Sequence, residues 1–171
     1  DGGDSTTNNA GVNLIYGGAG NDEVTFQGDA SGFIIYGDAG ADTITANSDS
    51  TGDTVIYGGD GNDVITGVTG QVAGDGDVLY GGAGADTVTG QGGDDTIYGG
   101  VGNDILTGGS GLAVLSGGDG ADTLESTSEL GSTADNLTLV GGEGADEFFL
   151  ELRNDTAAKM TAVVTVSDFE V

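Results

Sequence analysis

Residues 81–125 read GGAGADTVT, GQGGDDTIY, GGVGNDILT, GGSGLAVLS, GGDGADTLE: five nonapeptides in direct succession, with no residue between them. Four carry Asp at the sixth position (Asp86, Asp95, Asp104, Asp122), and all five carry an aliphatic residue at the eighth (Val88, Ile97, Leu106, Leu115, Leu124). Two adjacent glycines, then x-Gly, let the backbone turn through positive φ without steric cost. The following three residues form a minimal strand with one apolar side chain facing in and its two neighbours facing out. Nine residues thus make half a coil and eighteen a full one. No unit can bury its apolar residue alone, so stacking is obligatory.

Working outward, the glycine turn recurs at Gly17, Gly37, Gly58, Gly81, Gly99, Gly117 and Gly141, at separations of 20, 21, 23, 18, 18 and 24 residues. The uneven spacing hides a regular object. One edge of every coil is constant: GGAGND, GDAGAD, GGDGND, GGAGAD, GGVGND, GGDGAD, GGEGAD. Its sixth-position residues are Asp22, Asp42, Asp63, Asp86, Asp104, Asp122 and Asp146. The other edge carries the length changes, in QGDASG, ANSDSTGD, GVTGQVAGDGD, GQGGDD, GGSGLA and STSELGSTADN. Insertions confined to one edge are what a solenoid tolerates. Aligning the strands gives two facing apolar rows. One is Val24, Ile44, Ile65, Val88, Leu106, Leu124 and Phe148; the other is Ile15, Ile35, Ile56, Leu79, Ile97, Leu115 and Leu139. Such a thin core needs a further source of stability, which points to metal.

The pattern resembles the GGxGxDxUx repeat of RTX (haemolysin-type, calcium-binding) proteins. The resemblance implies an all-β fold, a right-handed parallel β-roll (a two-sheet β-solenoid) of about seven coils. It places the roll in residues 1–146 and a C-terminal β cap in residues 147–171; Asp146, Phe148 and the Asp168–Phe169 pair resemble the end of RTX arrays. Residues 1–12 are polar and turn-like, either the tail of a preceding repeat or a frayed end. In the family each ion lies between two turns stacked on one edge, held by Asp side chains and turn carbonyls of both coils. Carried over, the metal residues are the seven regular-edge aspartates and the turn glycines Gly17, Gly37, Gly58, Gly81, Gly99, Gly117 and Gly141, with about six interstitial Ca2+ sites. On the other edge only Asp77 and Asp95 fall at the matching position, with Asn13 a poorer candidate. Phe33, Thr54, Ala113 and Leu137 occupy it elsewhere, so one or two ions are expected there.

Composition agrees with the calcium reading. The chain has 171 residues, 29 acidic against two basic, a formal charge of −27, 37 glycines and no Pro, Cys, His or Trp. A column of carboxylates about 5 Å apart repels itself unless a cation intervenes. The ligand set is all oxygen, which suits calcium; zinc and softer metals lack their usual ligands, and magnesium demands tighter geometry. The charge excludes nucleic acid and anionic membrane surfaces as partners. No apolar run is long enough to span a bilayer, so membrane insertion is not expected. With no His or Cys, and no Lys in the repeats, catalysis by this segment is not expected either.

Two outward columns stand out. Tyr16, Tyr36, Tyr57, Tyr80 and Tyr98 precede the regular turn, followed in the column by Ser116 and Val140; they are expected to stack as a ladder. Thr25, Thr45, Thr66, Thr89 and Thr107 form a column on the opposite sheet, whose neighbours Glu23, Val64, Ile105 and Glu125 break any regular array.

The resemblance implies a structural roll that folds on Ca2+ outside the cell, within a secreted or cell-surface protein exported by type I secretion. A longer surface-layer or adhesin chain is the expected parent. Alternatives are a polysaccharide- or ice-binding module, or the accessory segment of a secreted RTX enzyme or toxin. Six ions against −27 leave about −15, with carboxylates at Asp4, Asp29, Asp49, Asp53, Asp75, Glu125, Glu129 and Asp135 free to share further ions in self-assembly through calcium.

Overall fold

The computed structural model describes residues 5–8, 14–26, 32–46, 54–69, 76–126, 137–150 and 165–167. These residues form sixteen short strands, numbered along the chain, in two parallel eight-stranded sheets. The first sheet stacks β1 (Ser5–Asn8), β3 (Glu23–Phe26), β5 (Thr43–Ala46), β7 (Val64–Thr66), β9 (Thr87–Thr89), β11 (Ile105–Thr107), β13 (Thr123–Ser126) and β15 (Glu147–Leu150). The second stacks β2 (Leu14–Ala19), β4 (Ile34–Ala39), β6 (Val55–Asp60), β8 (Val78–Ala83), β10 (Thr96–Val101), β12 (Val114–Asp119), β14 (Thr138–Glu143) and β16 (Thr165–Ser167). The chain alternates between the sheets at every step, which makes it a two-sheet solenoid. Among the described residues no helix is long and apolar enough to cross a membrane.

The count per sheet is eight, one more than the seven coils read from the sequence. The extra rungs are β1, paired with β3, and β16, paired with β14. β1 places residues 5–8 in one further rung of the first sheet. β15 pairs residue for residue with β13, Leu124 opposite Phe148. The pair Asp168–Phe169, Asn13 and the outlying carboxylates other than Glu125 lie outside the described residues.

The two apolar rows meet as expected. Thirteen of the fourteen residues are buried, and Phe148 is half-buried against the same core. Parallel pairing in strict register holds each row together: Ile15, Ile35, Ile56, Leu79, Ile97, Leu115 and Leu139 lie opposite one another rung by rung. The core extends further than the rows. Phe26, Phe33, Ala46, Val68, Ala113 and Leu137 are also buried, at the edge with variable loops. Phe33, Thr54, Ala113 and Leu137, which read in sequence as vacant ligand positions, therefore line that edge from within. Phe26 and Phe33 close its first coil with ring centroids 3.7 Å apart.

Candidate metal centre

Each regular turn places its sixth residue inward, at the end of the core. Asp22, Asp42, Asp63, Asp86, Asp104 and Asp122 are at most 4 % exposed, and Asp146, on the last turn, is half-buried. The side chains are bound into a ladder. The backbone N–H of Asp22 donates to Oδ1 of Asp42 at 2.8 Å, and the same contact repeats from Asp42 to Asp63, Asp63 to Asp86, Asp86 to Asp104, Asp104 to Asp122 and Asp122 to Asp146. One carboxylate oxygen per coil thus holds the turn of the coil before it.

The second oxygen has a different fate. Oδ2 of Asp42, Asp63, Asp86, Asp104, Asp122 and Asp146 is buried without a hydrogen-bond partner. A buried carboxylate oxygen left unpartnered is costly. All six point to the space above the first glycine of their own turn. A Cβ added to Gly99 would collide with Oδ2 of Asp104 and with the carbonyl oxygen of Gly117 on the next coil. On Gly17 it would lie 2.8 Å from Asp22 Oδ2 and 2.9 Å from the Gly37 carbonyl. The same pairing of a carboxylate oxygen with a next-coil glycine carbonyl recurs at Gly37, Gly58, Gly81 and Gly117. Glycine at this position keeps an oxygen-lined space open between adjacent coils. The second glycine has another task. It takes a φ near +110 to +119°, and Asp38, at φ 74°, is the one acidic residue in that place. Asp tolerates the left-handed region better than most residues.

The electrostatics follow from burial. Loss of water pushes the Asp86 carboxyl up to about 6, against the backbone hydrogen bond with Asp63, and with repulsion from Asp104 and Asp63 adding to it. Burial likewise raises Asp42, Asp63, Asp104 and Asp122 above the ordinary carboxylate range. Among the described residues no point gathers three or more His, Cys, Asp or Glu side chains. Each level supplies a single new inward carboxylate, with backbone carbonyls beside it. Unpartnered carboxylate oxygens facing carbonyls fit a hard, oxygen-seeking cation, for which main-chain carbonyls are normal ligands.

The variable edge repeats this arrangement only partly. Asp77 accepts from Thr54 N–H through Oδ1 at 3.1 Å and from Val68 N–H through Oδ2 at 2.7 Å, so both its oxygens are occupied. Asp95 accepts from Asp77 N–H at 2.8 Å, while its Oδ2 is buried without a partner, above Gly90 and beside the Gly108 carbonyl. Burial pushes Asp95 up to about 7. On the next coil Ala113 stands over Gly108 and contributes no oxygen.

One contributor escaped the sequence reading. At the fifth turn position Asn21, Asn62 and Asn103 accept through Oδ1 from the N–H of Ala41, Ala85 and Ala121 on the following coil, at 3.0, 2.9 and 2.9 Å. The signal was present as the alternation of GND and GAD in successive turns. The tyrosine ladder is as expected. Tyr16, Tyr36, Tyr57, Tyr80 and Tyr98 stack with centroids 4.7–5.1 Å apart and planes within 10° of parallel.

Comparison with known proteins agrees with this geometry. A family model, the RTX calcium-binding nonapeptide repeat, matches residues 9–30, 34–51, 48–70, 73–106 and 107–127, more than half of the chain. No curated protein and no solved structure matches it. RTX repeats bind Ca2+ and occur in proteins exported by type I systems. With a two-sheet roll, a glycine-gated carboxylate at each turn and the repeat matched along most of its length, the chain belongs to the RTX calcium-binding repeat family.

Proposed function

We propose that the chain is a structural module whose roll is held folded by calcium bound along the regular edge. The observation that carries this is the column of buried, unpartnered Oδ2 atoms, those of Asp42, Asp63, Asp86, Asp104 and Asp122 each facing a glycine carbonyl of the next coil. Asp22, Asp42, Asp63, Asp86, Asp104, Asp122 and Asp146 would hold the ions, with carbonyls of the turns opened by Gly17, Gly37, Gly58, Gly81, Gly99, Gly117 and Gly141. Six levels lie between these seven turns. On the other edge Asp95 is the candidate for one further ion; Asp77 acts there as a hydrogen-bond acceptor. Bound calcium supplies the positive charge that such a carboxylate column lacks.

Folding only where extracellular calcium is available fits export as an unfolded chain, and placement at the cell surface within a longer parent, of surface-layer or adhesin type, follows from that reading. Residues 147–171 would cap the roll, β16 covering the edge of β14. The tyrosine faces are turned toward one another, leaving edges rather than faces for a sugar ring. The reading as a polysaccharide-binding module is therefore set aside. Carboxylates outside the turns would be available to share ions between copies.

The test is circular dichroism and calorimetry. In chelator the β-sheet signal is expected to be lost. Millimolar calcium, the working range of extracellular modules at about 10⁻⁴–10⁻³ M, should restore it where sodium of equal ionic strength does not. Calorimetry is expected to count six or seven ions. A chelated chain with an unchanged spectrum overturns the proposal.

A further inference from the structure

The outer face of the second sheet is unlike the rest of the molecule. The first three residues of its strands present two columns, one of tall side chains and one of short, before the strands run into the exposed Asp38, Asp60, Asp119 and Glu143 of the turns. Tyr16, Tyr36, Tyr57, Tyr80 and Tyr98 form the tall one; Leu14, Ile34, Val55, Val78, Thr96 and Val114 run beside it. Leu14, Tyr16, Ile34, Tyr98 and Val114 are 38–61 % exposed. Over seven rungs neither column contains a charged residue, in a chain with 29 acidic side chains. The corresponding face of the first sheet carries Glu23, Glu125 and Glu147.

We infer that this face is a self-association surface, taken by the same face of a second copy about a two-fold axis parallel to the roll. The inference rests on the calcium-folded reading, since the face exists only once the coils are stacked. Three observations select the partner and the axis. A copy of this chain is itself strongly acidic and, without a bridging ion, approaches most readily where carboxylates are absent. The two columns are self-complementary: an axial two-fold sets the tall tyrosines of each copy over the short aliphatic column of the other, as an isologous interface requires. The tyrosine column adjoins the regular edge, where Asp38, Asp60, Asp119 and Glu143 are exposed. The axial two-fold therefore keeps the acidic edges on opposite sides, whereas a two-fold across the roll would superpose them. Seven rungs about 4.8 Å apart and two columns wide make a face of roughly 400 Å² per copy, the size of a weak, concentration-dependent contact.

The experiment uses the calcium-saturated chain, with circular dichroism first showing that the roll is formed; failure at that step counts against calcium folding, not against the interface. Sedimentation equilibrium is expected to show a dimer that grows with protein concentration. Tyr57→Ser, a residue the column already accepts at Ser116, and Val78→Glu should each weaken it by at least about tenfold. Thr66→Glu, on the opposite face in the column that holds Glu125, should leave it unchanged. Because the chain has no cysteine, orientation can be read by disulfide trapping. A mixture of Tyr57→Cys and Val55→Cys chains should cross-link as a heterodimer faster than either alone. A folded monomer at every concentration, or Val78→Glu chains that associate like the parent, overturns the interface. Preferential self-cross-linking of Tyr57→Cys overturns the axial two-fold.

Discussion

At Gly99 a single methyl group separates two outcomes. The residue has an ordinary backbone conformation, so the effect of a side chain there is steric: it would occupy the space shared by Asp104 Oδ2 and the Gly117 carbonyl. Gly99→Ala is expected to raise the calcium midpoint of folding and to remove about one ion from the calorimetric count. Asp104→Ala should shift the midpoint further, by about tenfold, because its Oδ1 also holds the Asp86 turn. Equal midpoints for both variants and the parent would show that this edge does not bind. Protons compete for the same carboxylates. The carboxyl groups of Asp86 and Asp95 are raised in the folded chain, to about 6 and about 7, above an ordinary value near 3.9. A raised folded value means that the ion-free roll binds more protons than the unfolded chain. Its stability is greatest below about pH 4 and is lost as pH rises through about 6–7. In chelator, β-sheet circular dichroism should therefore grow as pH falls from 8 to 4; a flat profile would mean that these carboxyls are hydrated.

Strands of three to six residues carry most of what the sequence disclosed. Each of the strands β2–β15 places one residue of the two apolar rows inward, and those fourteen residues, at a fixed offset from a glycine turn, could be read without coordinates. The regular aspartates were legible for the same reason: Gly99 and Asp104 are always five residues apart. The variable edge was not, because its facing pairs stand at changing separations. Phe26 meets Phe33 seven residues on, Asp77 stands over Gly67 at ten, and Ala113 over Gly108 at five. Counting along the chain cannot reveal that these positions are equivalent. Nor does periodicity show which oxygen of an aspartate is spent on the neighbouring coil. The comparison of the edges makes a prediction. Gly108 faces Ala113 as Gly90 faces Asp95, so Ala113→Asp should extend the Asp77–Asp95 column by one carboxylate. One additional ion in calorimetry is expected; the same count with a weaker fold would show that this edge has become an apolar seam.

Among the described residues, every sheet contact joins one coil to the next, and the strands run in chain order from one end of the stack to the other. The backbone hydrogen bonds between strands therefore lie along the long axis of the roll. Tension applied between the two ends pulls these bonds directly apart, so the load falls on one terminal coil at a time instead of on all of them in shear. Such a body yields by peeling. Held in optical tweezers with calcium, the roll is expected to lengthen in discrete steps, each releasing a coil of 18–24 residues and so about 60–85 Å of chain. In chelator the same pull should meet only a smooth entropic resistance. A single large rupture in calcium would instead mean that the coils fail together. Peeling would make a surface-tethered roll a shock absorber, lengthening under load at a force set by the surrounding calcium and rewinding when the load is released.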